Sequence, residues 1–118
     1  MKVLVVDKDE FLAENLCTYL KQNPEIQIQC ISTMNEVFYQ TSKNKYDLII
    51  SELFMPGTEN ENWLFKVEET NPGQKFVVMS SYQLPKKLNL LEKLNIIAYY
   101  EKPFDVKIIA NLIKQLTN

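Results

Sequence analysis

Five short apolar segments alternate with longer amphipathic segments along the 118 residues of the chain. Four of the short segments are rich in β-branched residues and end in polar or charged residues, which is typical of strands buried on both faces of a parallel sheet. In the other one, Ile26, Ile28 and Cys30 alternate with glutamines, which predicts a half-exposed strand at an edge. The predicted strands cover residues 3–6, 26–30, 48–50, 76–79 and 96–100.

The amphipathic segments carry apolar residues at helical spacing, and three of them follow residues that cap helices well. We expect Asp9, Thr33 and Asp105 to be these N-caps, and we expect further helices over residues 62–70 and 85–94. Among the predicted inward residues are Phe38 on the second helix and Ile108 on the last. Five strands alternating with five helices predict one domain over residues 1–118 with a flavodoxin-like (βα)5 fold, a doubly wound five-stranded parallel sheet of order 2-1-3-4-5.

Composition and charge narrow the functional classes. Thirteen basic and fifteen acidic residues leave no electrostatic footprint for nucleic acid, and no apolar run reaches the roughly 20 residues that span a bilayer. Because the chain has no histidine, it contains neither a histidine-based catalyst nor an imidazole metal site. We expect a cytoplasmic protein in which Cys17 and Cys30 are buried, reduced thiols rather than a disulfide or a metal pair.

Charged and hydroxyl side chains stand where the predicted strands end. In a parallel sheet these ends share one edge, which is where open α/β sheets bind ligands. The residues expected there are Asp7 and Lys8 after the first strand, Glu52 after the third, Ser80 and Ser81 after the fourth, and Lys102 after the fifth.

Several of these segments resemble the receiver domain of bacterial response regulators, and the resemblance extends from residue 2 to about residue 116. It implies that an aspartate after the third strand accepts a phosphoryl group from a histidine kinase, beside an acidic pair that helps to bind Mg²⁺. By the same resemblance, Asp7 is the first acid of that pair, Ser80 and Lys102 contact the phosphoryl group, Tyr99 is the switch aromatic, and the Lys102–Pro103 bond is often cis. The motifs are Val5-Val6-Asp7, Tyr46-Asp47-Leu48-Ile49-Ile50, Met55-Pro56-Gly57 and Lys102-Pro103-Phe104.

Two positions depart from the pattern that the resemblance implies. Glu52 stands at the phosphoacceptor position, and Lys8 stands at the second acid. The glutamate carboxylate lies about 1.5 Å further out than that of an aspartate, and errors near 1 Å cost on the order of 100-fold in rate. Lys8 removes an oxygen ligand, so only Asp7 and Glu52 remain as weak candidates for a metal, and we expect neither bound Mg²⁺ nor another cofactor.

These departures predict a non-enzymatic signalling module that acts through protein–protein contacts without ordinary phosphorylation. In one hypothesis, Lys8 points inward, so that the positive charges of Lys8 and Lys102 balance the negative charges of Asp7 and Glu52 and the domain is held in one state. In the other hypothesis, Lys8 points to solvent and the pocket is disused. The expected partner is a histidine kinase, an output protein, or a second copy docked through Tyr99 and the last two helices. Two alternatives stay open: phosphotransfer to Glu52 or Ser51, and a flavodoxin-like flavin or nucleotide binder, although residues 7–10 lack the Gly, Ser or Thr that cradle phosphate.

Overall fold

The computed structural model describes residues 1–55, 62–81 and 92–117. Within these ranges the chain forms five strands and four helices in alternating order, apart from the stretch between the fourth and fifth strands. The elements are β1 (Lys2–Val6), α1 (Glu10–Leu20), β2 (Gln27–Ile31), α2 (Met34–Lys43), β3 (Leu48–Glu52), α3 (Asn62–Thr70), β4 (Lys75–Ser80), β5 (Asn95–Glu101) and α4 (Val106–Thr117).

The five strands form one parallel sheet in the order β2-β1-β3-β4-β5, as the alternation of elements predicted. A single row of the sheet runs from Cys30 through Val5, Ile50 and Val77 to Ala98. The glutamine-interrupted strand β2 lies at one edge and β5 at the other. Because β1 is flanked by β2 and β3, the order of the sheet reverses at β1, and the crevice at the carboxyl ends opens there.

Alternation along the strands places apolar side chains on both faces of the sheet. Val5 and Ile50 point toward α1 and α4, where they pack with residues such as Leu16 and Ile109. The opposite face packs against α2 and α3, in a cluster that includes Leu4, Val6, Ile49, Val37, Trp63, Leu64 and Phe76. Burial of a Val, Leu or Ile side chain contributes about 1.5–3 kcal/mol, so these two layers hold the strand ends in place.

The predicted caps are confirmed. Asp9 accepts hydrogen bonds from the backbone N–H groups of Phe11 and Leu12, and the Thr33 hydroxyl accepts one from Glu36. Asp105 accepts a hydrogen bond from the backbone of Lys107 just before α4.

The predicted inward faces of the helices are correct at their centres and wrong at their margins. On α2, Val37 and Thr41 are buried while Phe38 is exposed, and on α4 Ile109 is buried while Ile108 is exposed. A helix lying on a sheet buries only a limited stripe, so apolar residues one position outside that stripe reach solvent.

Three further expectations concern single segments. The Lys102–Pro103 bond is cis, as the resemblance implied. The predicted helix over residues 85–94 and the turn at Pro56-Gly57 lie largely outside the described residues. No helix in the described part of the chain is long and apolar enough to cross a membrane.

Candidate functional site

The carboxyl ends of β1, β3, β4 and β5 bring four polar side chains to one edge of the sheet. Val6, at the end of β1, lies opposite Ser51, and Glu52 lies opposite Met79. Ser80 in turn lies opposite Glu101. The register therefore sets Asp7, Glu52, Ser80 and Lys102 along one edge, as predicted from the sequence.

Asp7 is completely buried and has a partner for each carboxylate oxygen. Its Oδ1 accepts a hydrogen bond of 2.9 Å from the backbone N–H of Asp9. Its Oδ2 accepts one of 2.7 Å from the ammonium of Lys102. Two charge-assisted hydrogen bonds offset much of the cost of removing this carboxylate from water.

Glu52 is 1% exposed and turns its carboxylate toward the same ammonium. Its Oε2 lies 2.8 Å from Lys102 Nζ, which is the distance of an ion pair. The direction of that approach is nevertheless outside hydrogen-bond geometry, so this oxygen has no aligned donor in the described part of the chain. The contact of Glu52 with Lys102 is therefore mainly electrostatic.

Lys102 reaches the cluster from the first residue after β5, where its backbone N–H donates to the carbonyl of Ser80 at 2.7 Å. Its side chain is only 14% exposed. Burial acts to lower the pKa of the Lys102 ammonium, but the hydrogen bond to Asp7 and the negative charges of Asp7 and Glu52 outweigh it, so the pKa lies above its ordinary value. The ammonium therefore stays protonated at neutral pH.

We call these three side chains the Asp7–Lys102–Glu52 cluster. It contains two buried carboxylates and one ammonium, so it carries a surplus of negative charge when all three groups are ionised. At low dielectric such a surplus is expensive unless a further donor or cation approaches. This imbalance is the main electrostatic feature of the site.

Lys8 does not belong to the cluster, and the hypothesis that it turns inward is wrong. Its side chain is exposed, and among the described residues neither Asp7 nor Glu52 forms an ion pair with it. The chain leaves β1 at Asp7, whose side chain points inward, and the next residue projects to solvent before the Asp9 cap begins α1. Solvation in water costs this ammonium nothing, whereas burial carries a desolvation penalty.

The hydroxyl and aromatic candidates lie close to their predicted places. Ser80 is buried at the end of β4 and Ser81, the next residue, is exposed. Tyr99 is half-buried on β5, opposite Val78, and packs against the α2–α3 face. Their roles as phosphoryl contact and switch stay predictions.

The alternative acceptor Ser51 lies in a different environment. It is completely buried, and its hydroxyl donates a hydrogen bond of 2.7 Å to the carbonyl of Glu52. It follows Ile49 by two positions on β3 and so shares the face that packs against α2 and α3, whereas Glu52 shares the face of Ile50. Ser51 is therefore poorly placed for attack on a phosphoryl group at this edge.

The donor set does not fit a magnesium ion well. Mg²⁺ prefers octahedral oxygen ligands supplied by carboxylates and water. Here the two carboxylates already face one ammonium, and the described residues contain no group of three or more Asp, Glu, His or Cys side chains arranged for a metal. A cation at this edge would have to compete with Lys102 for both carboxylates.

The hydrogen bond from the Asp9 backbone to Asp7 was not anticipated from the sequence. The two aspartates are separated by one residue, which is the spacing at which an Asp side chain accepts a hydrogen bond from the backbone two residues on. That spacing was the available signal. The bond ties the start of α1 to the cluster.

Comparison with known proteins places the chain in a family. The profile of the response regulator receiver domain matches residues 3–114. The chain therefore belongs to that family, and it is a receiver domain of the two-component response regulators. The flavodoxin-like flavin or nucleotide binder that the sequence left open receives no support from this match.

Solved structures of low identity share the fold. The receiver domain of a Francisella response regulator is 24% identical with a TM-score of 0.80, over 99% of this chain and 98% of that one. A CheY-like receiver domain protein from Methanospirillum hungatei is 19% identical with a TM-score of 0.86, over 98% and 91%. The response regulator TrrA from Thermotoga maritima, solved in complex with Mg²⁺-BeF, is 21% identical with a TM-score of 0.78, over 98% and 97%.

Proposed function

We propose that this receiver domain signals through protein–protein contacts without phosphorylation of Glu52, the residue at the family's phosphoacceptor position. The observation that carries the proposal is the ammonium of Lys102, which lies 2.7 Å from Asp7 Oδ2 and 2.8 Å from Glu52 Oε2. By the resemblance, this is the ammonium that contacts a phosphoryl group. In this chain the carboxylate of Glu52 already lies beside that ammonium.

The charge of the cluster argues against an added phosphoryl group. A phosphoryl group brings further negative charge to a buried site where carboxylates already outnumber the ammonium. Lys8 is exposed and lends no second positive charge. Phosphoryl transfer depends on a cation and fixed positive groups that offset the charge on the phosphoryl oxygens, and the described residues offer only Lys102 for this purpose.

In this proposal, the Asp7–Lys102–Glu52 cluster stabilises a single conformational state of the domain at all times. Lys102 crosses from β5 to both β1 and β3, so its contacts link three strand ends regardless of any phosphoryl donor. A receiver domain in a single state transmits a signal through its concentration or its partner rather than through a modification. We propose a histidine kinase or an output protein as that partner, or a second copy of the chain docked through Tyr99, β5 and α4.

The same proposal assigns no enzymatic activity, no resident cofactor and no direct contact with nucleic acid. The absence of a cofactor is supported by the small number of Mg²⁺ ligands, two carboxylates that already face Lys102. The absence of nucleic-acid contact is supported by the near balance of 13 basic and 15 acidic residues. We further propose that the domain works in the cytoplasm.

The decisive test is labelling with a small phosphodonor such as phosphoramidate in the presence of Mg²⁺, read out as a gain of one phosphoryl group in the intact mass. We expect no gain for the wild-type chain. The double variant Lys8→Asp/Glu52→Asp restores both acids of the family pattern and is expected to gain one phosphoryl group. Glu52→Gln is the control that lacks a nucleophilic carboxylate. A stoichiometric phosphoryl group on wild-type Glu52 or Ser51 would refute the proposal.

A second test uses Trp63, the one tryptophan of the chain. Its indole N–H donates to the carbonyl of Leu53 at 3.1 Å, directly after Glu52, so its fluorescence should respond to a change at the cluster. The similar Thermotoga maritima protein was solved with Mg²⁺-BeF, which makes this reagent a suitable probe. We expect no saturable change on titration of the wild-type chain and a saturable change for Lys8→Asp/Glu52→Asp.

A further inference from the structure

Away from the strand ends, the two cysteines of the chain meet between α1 and the edge strand β2. Cys17 lies on the buried side of α1 and is 3% exposed. Cys30 lies on β2 and is exposed, which corrects the expectation of two buried thiols. An edge strand has a neighbouring strand on only one side, so a residue near the end of such a strand stays open to solvent.

The register of the sheet points Cys30 toward α1. Cys30 lies opposite Val5, which packs in the same apolar cluster as Cys17 and Leu16. Ile28, two residues before Cys30 and therefore on the same face of β2, packs against that cluster as well. The two thiols thus face each other across the contact between helix and strand.

An open cavity of about 450 Å³ gives access to the pair. Both cysteines line it, together with Glu14, Lys21 and Ser32 among others. This volume admits a small oxidant or the end of a thiol compound. Because Cys30 is exposed and Cys17 is buried, Cys30 is the first of the two that such a reagent meets.

The thiols differ in acidity in a way that suits this access. A hydrogen bond from the Cys17 thiol lowers the pKa of Cys30, aided by the ammonium of Lys21 and opposed by burial, Asp7 and Glu14. The same hydrogen bond, together with burial, raises the pKa of Cys17. Of the two thiols, the outer one therefore loses its proton more readily and has the greater thiolate character that nucleophilic attack requires.

We propose that Cys17 and Cys30 form a redox modification site that closes reversibly to an intramolecular disulfide in the presence of a peroxide. The Cys30 thiolate attacks one peroxide oxygen and the O–O bond breaks, leaving a sulfenic acid on Cys30 and releasing hydroxide. The Cys17 thiol then attacks that sulfur, the S–S bond forms, and the sulfenic oxygen departs as water with the proton from Cys17. Two thiols lose two electrons and hydrogen peroxide is reduced to two molecules of water.

The disulfide would join α1 covalently to β2 and close residues 17–30 into a loop. The first turn of α1 follows Asp9, whose backbone N–H holds Asp7. A change in the freedom of α1 relative to the sheet is thereby transmitted toward the strand ends. This modification is independent of any phosphoryl chemistry at the Asp7–Lys102–Glu52 cluster.

The test is mass spectrometry of the reduced, purified full chain after treatment with hydrogen peroxide and quenching with iodoacetamide. We expect a monomer that has lost two hydrogen atoms, takes up no alkyl group and regains two alkylatable thiols after dithiothreitol. The Cys17→Ser variant is expected to accumulate a sulfenic acid on Cys30 that dimedone traps. The Cys30→Ser variant is expected to retain an unmodified Cys17 under the same treatment.

Two results would overturn the proposal. One is a wild-type chain that keeps two alkylatable thiols, or that oxidises only to a dimer linked between molecules. The other is faster alkylation of Cys17 than of Cys30 in the untreated wild-type chain, where we expect Cys30 to react at least roughly tenfold faster because of its exposure and its thiolate character. Both readouts use the wild-type protein, so they do not depend on the folding of a variant.

Discussion

The replacement of Lys102 by methionine tests whether the Asp7–Lys102–Glu52 cluster is as strongly coupled as its geometry indicates. Methionine fills a similar volume without the charge. The change leaves Asp7, which is completely buried, and Glu52, which is 1% exposed, with no ammonium between them. Asp7 keeps its hydrogen bond from the Asp9 backbone, while Glu52 loses its one ionic contact among the described residues.

The size of the effect follows from the burial of all three groups. Removal of one partner from a buried ion pair costs about 3–5 kcal/mol, because an uncompensated charge stays behind. We expect Lys102→Met to lose that amount of unfolding free energy at neutral pH. With an m-value of about 2 kcal/mol per M, the urea midpoint falls by roughly 2 M.

Glu52→Gln makes the comparison sharper. It removes the surplus carboxylate charge and leaves Asp7 paired one to one with Lys102, so we expect a change of no more than about 1 kcal/mol. The double variant Lys102→Met/Glu52→Gln should be more stable than Lys102→Met alone by at least about 1 kcal/mol, since its members are coupled. Lys8→Met is the control for loss of an exposed lysine near the site, and we expect little change.

The assay is equilibrium unfolding in urea, followed by the fluorescence of buried Trp63 and by circular dichroism. Coincident transitions by both probes establish that a single free energy describes each variant. A loss below about 1 kcal/mol for Lys102→Met would refute the reasoning on burial. A loss for Glu52→Gln as large as that for Lys102→Met would refute the argument that the cluster carries surplus negative charge.

Three further predictions concern stability. Asp9→Ala should cost about 1 kcal/mol because two backbone N–H groups of α1 lose their acceptor. Asp9→Asn should keep most of the stabilisation from the cap, and urea unfolding distinguishes the two variants. The raised pKa of Lys102 gives a stabilisation that is complete below its ordinary value of 10.5 and is lost as the pH rises through the folded-state value. Lys102→Arg, which stays charged, should therefore differ from wild type by a constant amount below the ordinary lysine pKa of 10.5 and gain stability relative to wild type as the pH rises above it. A difference that stays unchanged above that pH would contradict the assignment. Ile109→Ala should cost about 2–5 kcal/mol, whereas the same change at its exposed neighbour Ile108 should cost less than about 1 kcal/mol; equal losses in thermal or urea unfolding would contradict the orientation of α4.

Much of the architecture could be predicted because the signals are local. The apolar run 48–50, bounded by polar residues, predicts a buried strand, and the glutamines at 27 and 29 predict a strand at the edge of the sheet. The caps at Asp9 and Thr33 act within a few residues of the chain. Parallel strands separated by helices then allow few arrangements, so the order of the sheet followed.

The site could be predicted as a set of residues but not as a network. Asp7, Glu52, Ser80 and Lys102 were each found from their place at a strand end, since a strand's end is visible in the local pattern. The partner of each charge was not visible. Lys102 and Asp7 are 95 positions apart, and only the folded sheet brings them within 2.7 Å.

What the sequence by itself determined is where the strands and helices lie, the centre of each buried face and which end of each strand carries polar groups, because hydrophobic periodicity is a local property. It did not determine burial at the margins of those faces, as exposed Phe38 and Ile108 show. The tertiary structure decided how charges and thiols pair: Lys8 outward, Lys102 between two carboxylates, and Cys30 exposed beside buried Cys17. These outcomes depend on distances between separate elements and on the balance between desolvation and Coulomb attraction at each position. That balance exists only once the strands and helices have packed.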